Sequence, residues 1–142
     1  MSRVFATGSE SPLRDLGLLL LRLGVALPLV LEHGWGKLQM LLDGNGAGFP
    51  DPLGVGNELS LMLAVFGEVL APVGLALGLL GRLSALPVVV TFCVAFFVVH
   101  GDDDFSSKEL AFFYLLGSAS LLLTGPGRLS VDGVLSRARA QD

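Results

Sequence analysis

Charge is missing from long stretches of this chain. No Asp, Glu, Lys or Arg occurs between residues 83 and 99, or between residues 110 and 127. Two earlier apolar runs, residues 16–31 and 59–81, are each interrupted by one ionisable residue, Arg22 and Glu68. A helix crossing the hydrocarbon core of a bilayer needs roughly 20 apolar residues, usually about 17–25. Backbone in lipid must satisfy its own hydrogen bonds, which leaves helices or closed barrels. Continuous apolar runs without alternation select helices. The expectation is an all-α integral membrane protein, a four-helix bundle with crossings at about residues 14–37, 58–80, 83–100 and 107–124.

Composition agrees. Of the 142 residues, 52% are hydrophobic and 15% charged, where a soluble domain carries about 25% charged. The length fits a single domain over residues 1–142. The net charge of -4 comes without a basic stripe, so nucleic acid is not an expected partner. Cys93 is the only cysteine; it excludes an internal disulfide and reads as a small packing residue. The first apolar run is not read as a cleaved signal peptide, because Arg22 lies within it and no small-x-small site follows before Lys37.

Positively charged residues mark the cytoplasmic side of a membrane protein. Arg3 and Arg14 precede the first run, Arg82 follows the second, and Arg128, Arg137 and Arg139 follow the fourth. Both termini are therefore expected in the cytoplasm. The acidic run Asp102–Asp104 then faces outward as a solvated loop. Residues 39–57, rich in Gly, Pro and Asp, make a connection long enough for a lid or binding loop. Gly74, Gly78 and Gly81 are expected on or near one face of the second helix, allowing close helix approach. Residues 130–139 suit a short interfacial helix. A weak echo joins residues 81–84 (Gly-Arg-Leu-Ser) to residues 127–130, without a fixed period.

Ionisable groups inside a membrane segment are costly and face the bundle interior or water. Arg22 either snorkels or pairs within the bundle. Glu68 is either neutral or partnered, by Arg22 or by backbone opened at Pro28 or Pro72. A denser polar group lies toward the outer half: Glu32, His33, Trp35, Lys37, His100, Lys108 and Glu109. Singly, Trp35 reads as an interface anchor and Lys37 as a snorkelling lysine. Together they suit an amphiphile with a polar head and lipid-like tail. A quinone fits, with proton chemistry at Glu68, His33 and His100 and binding by Lys37, Trp35 and Arg22. Haem ligation by His33 and His100 is disfavoured because both lie at membrane exits. No zinc spacing, Walker motif, GxGxxG or GxSxG occurs, and no metal is expected.

Several of these pieces resemble the DoxX family of small prokaryotic membrane proteins. They are Arg22-Leu23-Gly24, His33-Gly34-Trp35-Gly36-Lys37-Leu38, Gly67-Glu68, Leu79-Leu80-Gly81-Arg82-Leu83 and residues 125–132 (Gly-Pro-Gly-Arg-Leu-Ser-Val-Asp). The likeness covers about residues 14–135. It implies a four-helix membrane bundle in the prokaryotic plasma membrane, with Arg22, His33, Lys37, Glu68, Arg82 and Arg128 at family-pattern positions. Arg82 and Arg128 are read as structural boundaries. Members are linked to quinone-dependent sulfur oxidation, as a subunit of a thiosulfate:quinone oxidoreductase, and to thiol and oxidative-stress complexes. The resemblance thus implies a redox subunit working with quinone and other protein subunits, or as a homo-oligomer. A non-catalytic membrane anchor or assembly subunit is the alternative. A small transporter is less in keeping with four crossings that lack clear inverted repeats.

Overall fold

A computed structural model describes residues 11–139. Five helices account for most of them: α1 (Pro12–Leu42), α2 (Asn57–Leu77), α3 (Gly81–Val99), α4 (Phe105–Thr124) and the short α5 (Val131–Arg139). No strand occurs among the described residues.

Each long helix buries one stripe. On α1 it is Leu18, Arg22, Val25, Ala26 and Leu29; on α3, Ala85, Val88 and Phe92; on α4, Ala111, Tyr114, Ser118 and Leu121. These spacings follow the 3.6-residue turn. The opposite faces are equally apolar yet exposed, with Leu20, Leu31, Leu70, Leu83, Phe97, Phe113 and Leu123 each more than half exposed. A water-soluble helix would turn polar residues outward there. The outer apolar surface instead suits acyl chains.

The stripes meet in a closed order: α1 packs on α2 and α4, and α3 packs on α2 and α4. Their main core joins Leu18, Val25, Leu29, Leu75, Val88, Phe92, Tyr114 and Leu121. A second core, Leu61, Val65 and Val69, takes in Phe49 from the α1–α2 connection. Helices α1, α2 and α3 are long and apolar enough to cross a membrane. Helix α4 is not in that group. Lys108 and Glu109 sit in its first turns and shorten its uncharged part to residues 110–124.

Two expectations about the connections change. Helix α1 continues past Lys37 to Leu42, which shortens the connection, and a turn at Gly46–Gly48 and Asp51 order the rest of it. Asp51 accepts hydrogen bonds from the backbone N–H of Val55 (3.0 Å) and Gly56 (2.7 Å) and from the Ser60 hydroxyl (2.7 Å). The hydrogen bonds from Ser60 and then Gly56 hold the Asp51 carboxyl below the usual range. Second, α2 ends at Leu77, so Gly78 and Gly81 are not on its face; Gly78 ends it and Gly81 opens α3. Gly74 alone keeps the expected role, lying against Ser84 of α3.

Candidate functional site

Three of the helices open locally into wide π turns, at Leu29–Gly34 in α1, Phe66–Leu70 in α2 and Ala95–Val99 in α3. There the closing bonds run five residues back: from Trp35 N–H to the Val30 carbonyl, Ala71 to Phe66 and His100 to Ala95. Pro72 explains one of them, since a proline lacks an N–H and its ring collides with the carbonyl four residues earlier. π turns inside α-helices are frequent at functional sites. Here they carry or adjoin His33, Glu68 and His100.

The α1 and α2 wide turns pack on each other. Gly34 makes that contact. A Cβ at this position would come within 2.5 Å of both the Glu68 carbonyl oxygen and the Val69 side chain. With only hydrogen at residue 34 the two backbones touch, and Lys37, one turn further on, reaches across to Glu68. The Lys37 ammonium donates to both Glu68 carboxylate oxygens. The Glu68 side chain is 9% exposed and that of Lys37 30%. The carboxylate is therefore closed inside the bundle while the ammonium is part-exposed at its surface. The direct Glu68–Arg22 pairing considered from sequence does not form, because Lys37 occupies the carboxylate.

His33 stands edge-on to Tyr114 of α4, with ring centroids 5.6 Å apart, and Tyr114 packs on Phe92 of α3 at 4.8 Å. Tyr114 is buried. Sequence reasoning missed it. The available signal was that it is the only tyrosine in the chain and lies in a charge-free run, where a phenol needs a polar neighbour.

The remaining expected residues lie elsewhere. His100 ends α3 and its Nδ1 pairs with Asp103 at 2.7 Å. Lys108 donates to the Gly101 carbonyl at 2.9 Å and lies over the Phe96 ring. Trp35 is 53% exposed on the outside of α1, a position that fits an interface anchor. The polar group singled out from sequence therefore divides into a Lys37–Glu68 pair between α1 and α2, a His33–Tyr114 contact between α1 and α4, and a His100–Asp103 turn after α3. Among the described residues, no group of three or more His, Cys, Asp or Glu is placed to hold a metal ion.

Arg22 belongs to the opposite end. It is 1% exposed, and its Nη2 donates to the Leu129 carbonyl, 107 residues away in sequence. Its Nε and Nη1 are buried without a partner. Gly78, at φ +67°, leaves the space this guanidinium fills; a Cβ there would overlap it. Asp132 completes this end by accepting from the N–H groups of Leu80 (3.0 Å) and Gly81 (2.9 Å). Its own N–H donates to the Gly78 carbonyl (3.1 Å). Asp15 accepts from the Arg128 N–H at 2.9 Å. Residues 127–132 thus clamp α1 to the α2–α3 turn. Arg82 donates to the Leu123 carbonyl at 3.3 Å, linking α3 to the end of α4.

The model of the DoxX family matches residues 17–101, more than half of the chain and the stretch that carries Arg22, Gly34, Lys37 and Glu68. The chain belongs to the DoxX family. The match covers α1 from residue 17 together with α2 and α3; the residue 127–132 clamp lies beyond it. An uncharacterized protein of Haemophilus influenzae is 27% identical over 94 residues, 63% of this chain and 62% of that protein. The chain thus spans a little under two thirds of the length of this relative. No solved structure matches. Family and exposed apolar helices together make this DoxX protein a small helical membrane protein.

Proposed function

We propose that this DoxX protein is a proton-handling membrane subunit of a quinone-linked oxidoreductase, fed with electrons by a partner subunit in a thiosulfate- or thiol-linked reaction. The observation that carries the reading is the Lys37–Glu68 pair, closed on the carboxylate side and open on the ammonium side. A quinone travels in the bilayer and meets the bundle laterally. Two Lys37 N–H bonds point to Glu68; the third is available to a quinone carbonyl. Reduction to quinol takes up two electrons and two protons. Lys37 delivers one proton to the carbonyl oxygen as charge builds there, and Glu68 steadies the ammonium until then. His33, on the same α1 face and supported by Tyr114, carries the second.

In this reading α4 is the fourth crossing, both chain ends lie in the cytoplasm, and the membrane is the prokaryotic plasma membrane. The arginines at 14, 82, 128, 137 and 139 against the aspartates at 102–104 support that orientation.

The test is a quinone titration of protein purified with native lipid, alongside partner-dependent quinone reduction in H33A and E68Q variants. Co-purifying quinone, with turnover lowered about 10²-fold or more by removal of the His33 proton carrier or of the Glu68 carboxylate that steadies Lys37, is the expected result. Absence of bound quinone together with unchanged turnover in both variants overturns it and leaves the chain as an anchor or assembly subunit. Cysteines introduced at 102 and 136 in a C93A background check orientation: the first is expected to label from outside the cell, the second only after permeabilisation.

A further inference from the structure

At the end of the bundle opposite Trp35 and the 100–104 turn, a shallow, open depression of about 530 Å³ lies between the start of α3 and the residue 124–128 turn. Two arginines border it, Arg82 and Arg128. Arg137 stands beside it, donating to the Gly133 and Arg128 carbonyls at 3.0 and 2.9 Å. One carboxylate faces it, Asp132, and both of its oxygens are taken by the Leu80 and Gly81 N–H groups. Local charge is therefore three guanidinium groups against two carboxylates, Asp132 and, beside Arg128, Asp15, both engaged by backbone donors. The first turn of α3 adds the backbone N–H groups of Arg82 and Leu83, which have no acceptor among the described residues. Such a helix start favours an anion. The rim is apolar: Leu80 and Leu83 are 60% and 65% exposed.

Depth is indicated independently by α5. Val134 and Leu135 are exposed, while Arg137 and Arg139 sit in the same helix. A short helix of this kind lies at the boundary of headgroups and acyl chains. The depression shares that level, because Asp132 and Gly133 of α5 form part of its wall.

We propose that this open depression binds the phosphate of an anionic phospholipid headgroup, with Arg82 and Arg128 at its edges and the acyl chains lying over Leu80 and Leu83. A free phosphate offers the same anion without tails; the apolar rim favours the lipid. The reading is independent of any redox role at Lys37 and Glu68.

The experiment is native mass spectrometry of delipidated protein in detergent, titrated with phosphatidylglycerol, phosphatidylcholine or inorganic phosphate. Phosphatidylglycerol is expected to be retained about tenfold more tightly than phosphatidylcholine. R82Q and R128Q are each expected to weaken it by about tenfold, the scale of one lost charge-assisted hydrogen bond. K108Q, at the other end, is expected to leave it unchanged. L83E tests the rim without touching an arginine and is expected to lower lipid retention while helical circular dichroism is preserved. Equal retention of the two lipids, unchanged retention in R82Q and R128Q, or displacement of the lipid by inorganic phosphate at matched concentration overturns the proposal.

Discussion

Arg22 and Glu68 are both charged side chains buried in apolar helices, and the bundle treats them in opposite ways. Arg22 is held by a backbone carbonyl from the far end of the chain, with Nε and Nη1 left over. Glu68 is held by a second charged side chain, Lys37, whose own head is part-exposed. A permanently charged guanidinium fixed to backbone is a clamp: it ties residues 127–132 to α1 and has no proton to give near neutral pH. A carboxylate paired with an ammonium can exchange protons, and one partner is reachable from outside. The Arg22 end is thus architecture, and the proposed function rests on the Lys37–Glu68 end.

The sharpest way to break this comparison is to remove one member of the ion pair. K37M leaves Glu68 in the bundle without its counter-charge, and a loss of about 3 kcal/mol is expected, the scale for an orphaned buried charge. The K37M/E68L double variant is expected to recover most of that loss. Denaturant unfolding in detergent micelles measures both; additive losses would show that the pair is not coupled. At the clamp, G78A combines a left-handed backbone with overlap of the Arg22 guanidinium, and about 2 kcal/mol or more is expected. D132A removes acceptors from two N–H groups, for about 1–2 kcal/mol. Neither clamp variant is expected to change the pH dependence of turnover, whereas E68Q is. A shifted pH profile in D132A would erase the distinction between the two ends.

Smaller effects are expected in the α1–α2 connection. Asp51 titrates below the ordinary carboxylate range in the folded chain. Its contribution to ordering residues 51–60 is therefore complete above the unfolded value of about 3.9 and is lost as pH falls through the lowered folded value. Amide exchange at Val55 and Gly56 is expected to accelerate, relative to the intrinsic rate, over that acidic window, and to be fast at all pH values in D51N. The direct check on surroundings is Trp35, the single tryptophan. Its fluorescence is expected to be quenched by brominated lipids, and indifference to them would place α1 outside the bilayer boundary.

The helices were legible because long apolar runs leave little choice. Residues 83–100 and 107–124 became Gly81–Val99 and Phe105–Thr124, and 130–139 became Val131–Arg139. The end of α1 was less so, since residues 39–42 are helical beyond the last expected turn. Lys37, Glu68 and His33 were singled out as unusual in an apolar setting, but their pairing was not. Which cation meets Glu68 depends on the level at which two helices cross, and that is set by Gly34 and the wide turns. Asp132 appeared in the sequence only as the end of a family motif. Its capping of Leu80 and Gly81 spans some 50 residues and needs the whole bundle to form first.

The wide turns have one more consequence. Each holds one residue more than an ordinary helical turn would, and a residue in a helix is worth about 100° of rotation. Deleting a single residue from the Phe66–Leu70 segment would therefore leave an ordinary helical turn and keep the rest of α2 in register, whereas a deletion in the regular part of α2 would swing everything beyond it by over a quarter turn, presenting a different set of side chains to α1 and α3. The spans of this protein are geared in single-residue steps, and the meshing of Lys37 with Glu68 is one setting of that gear.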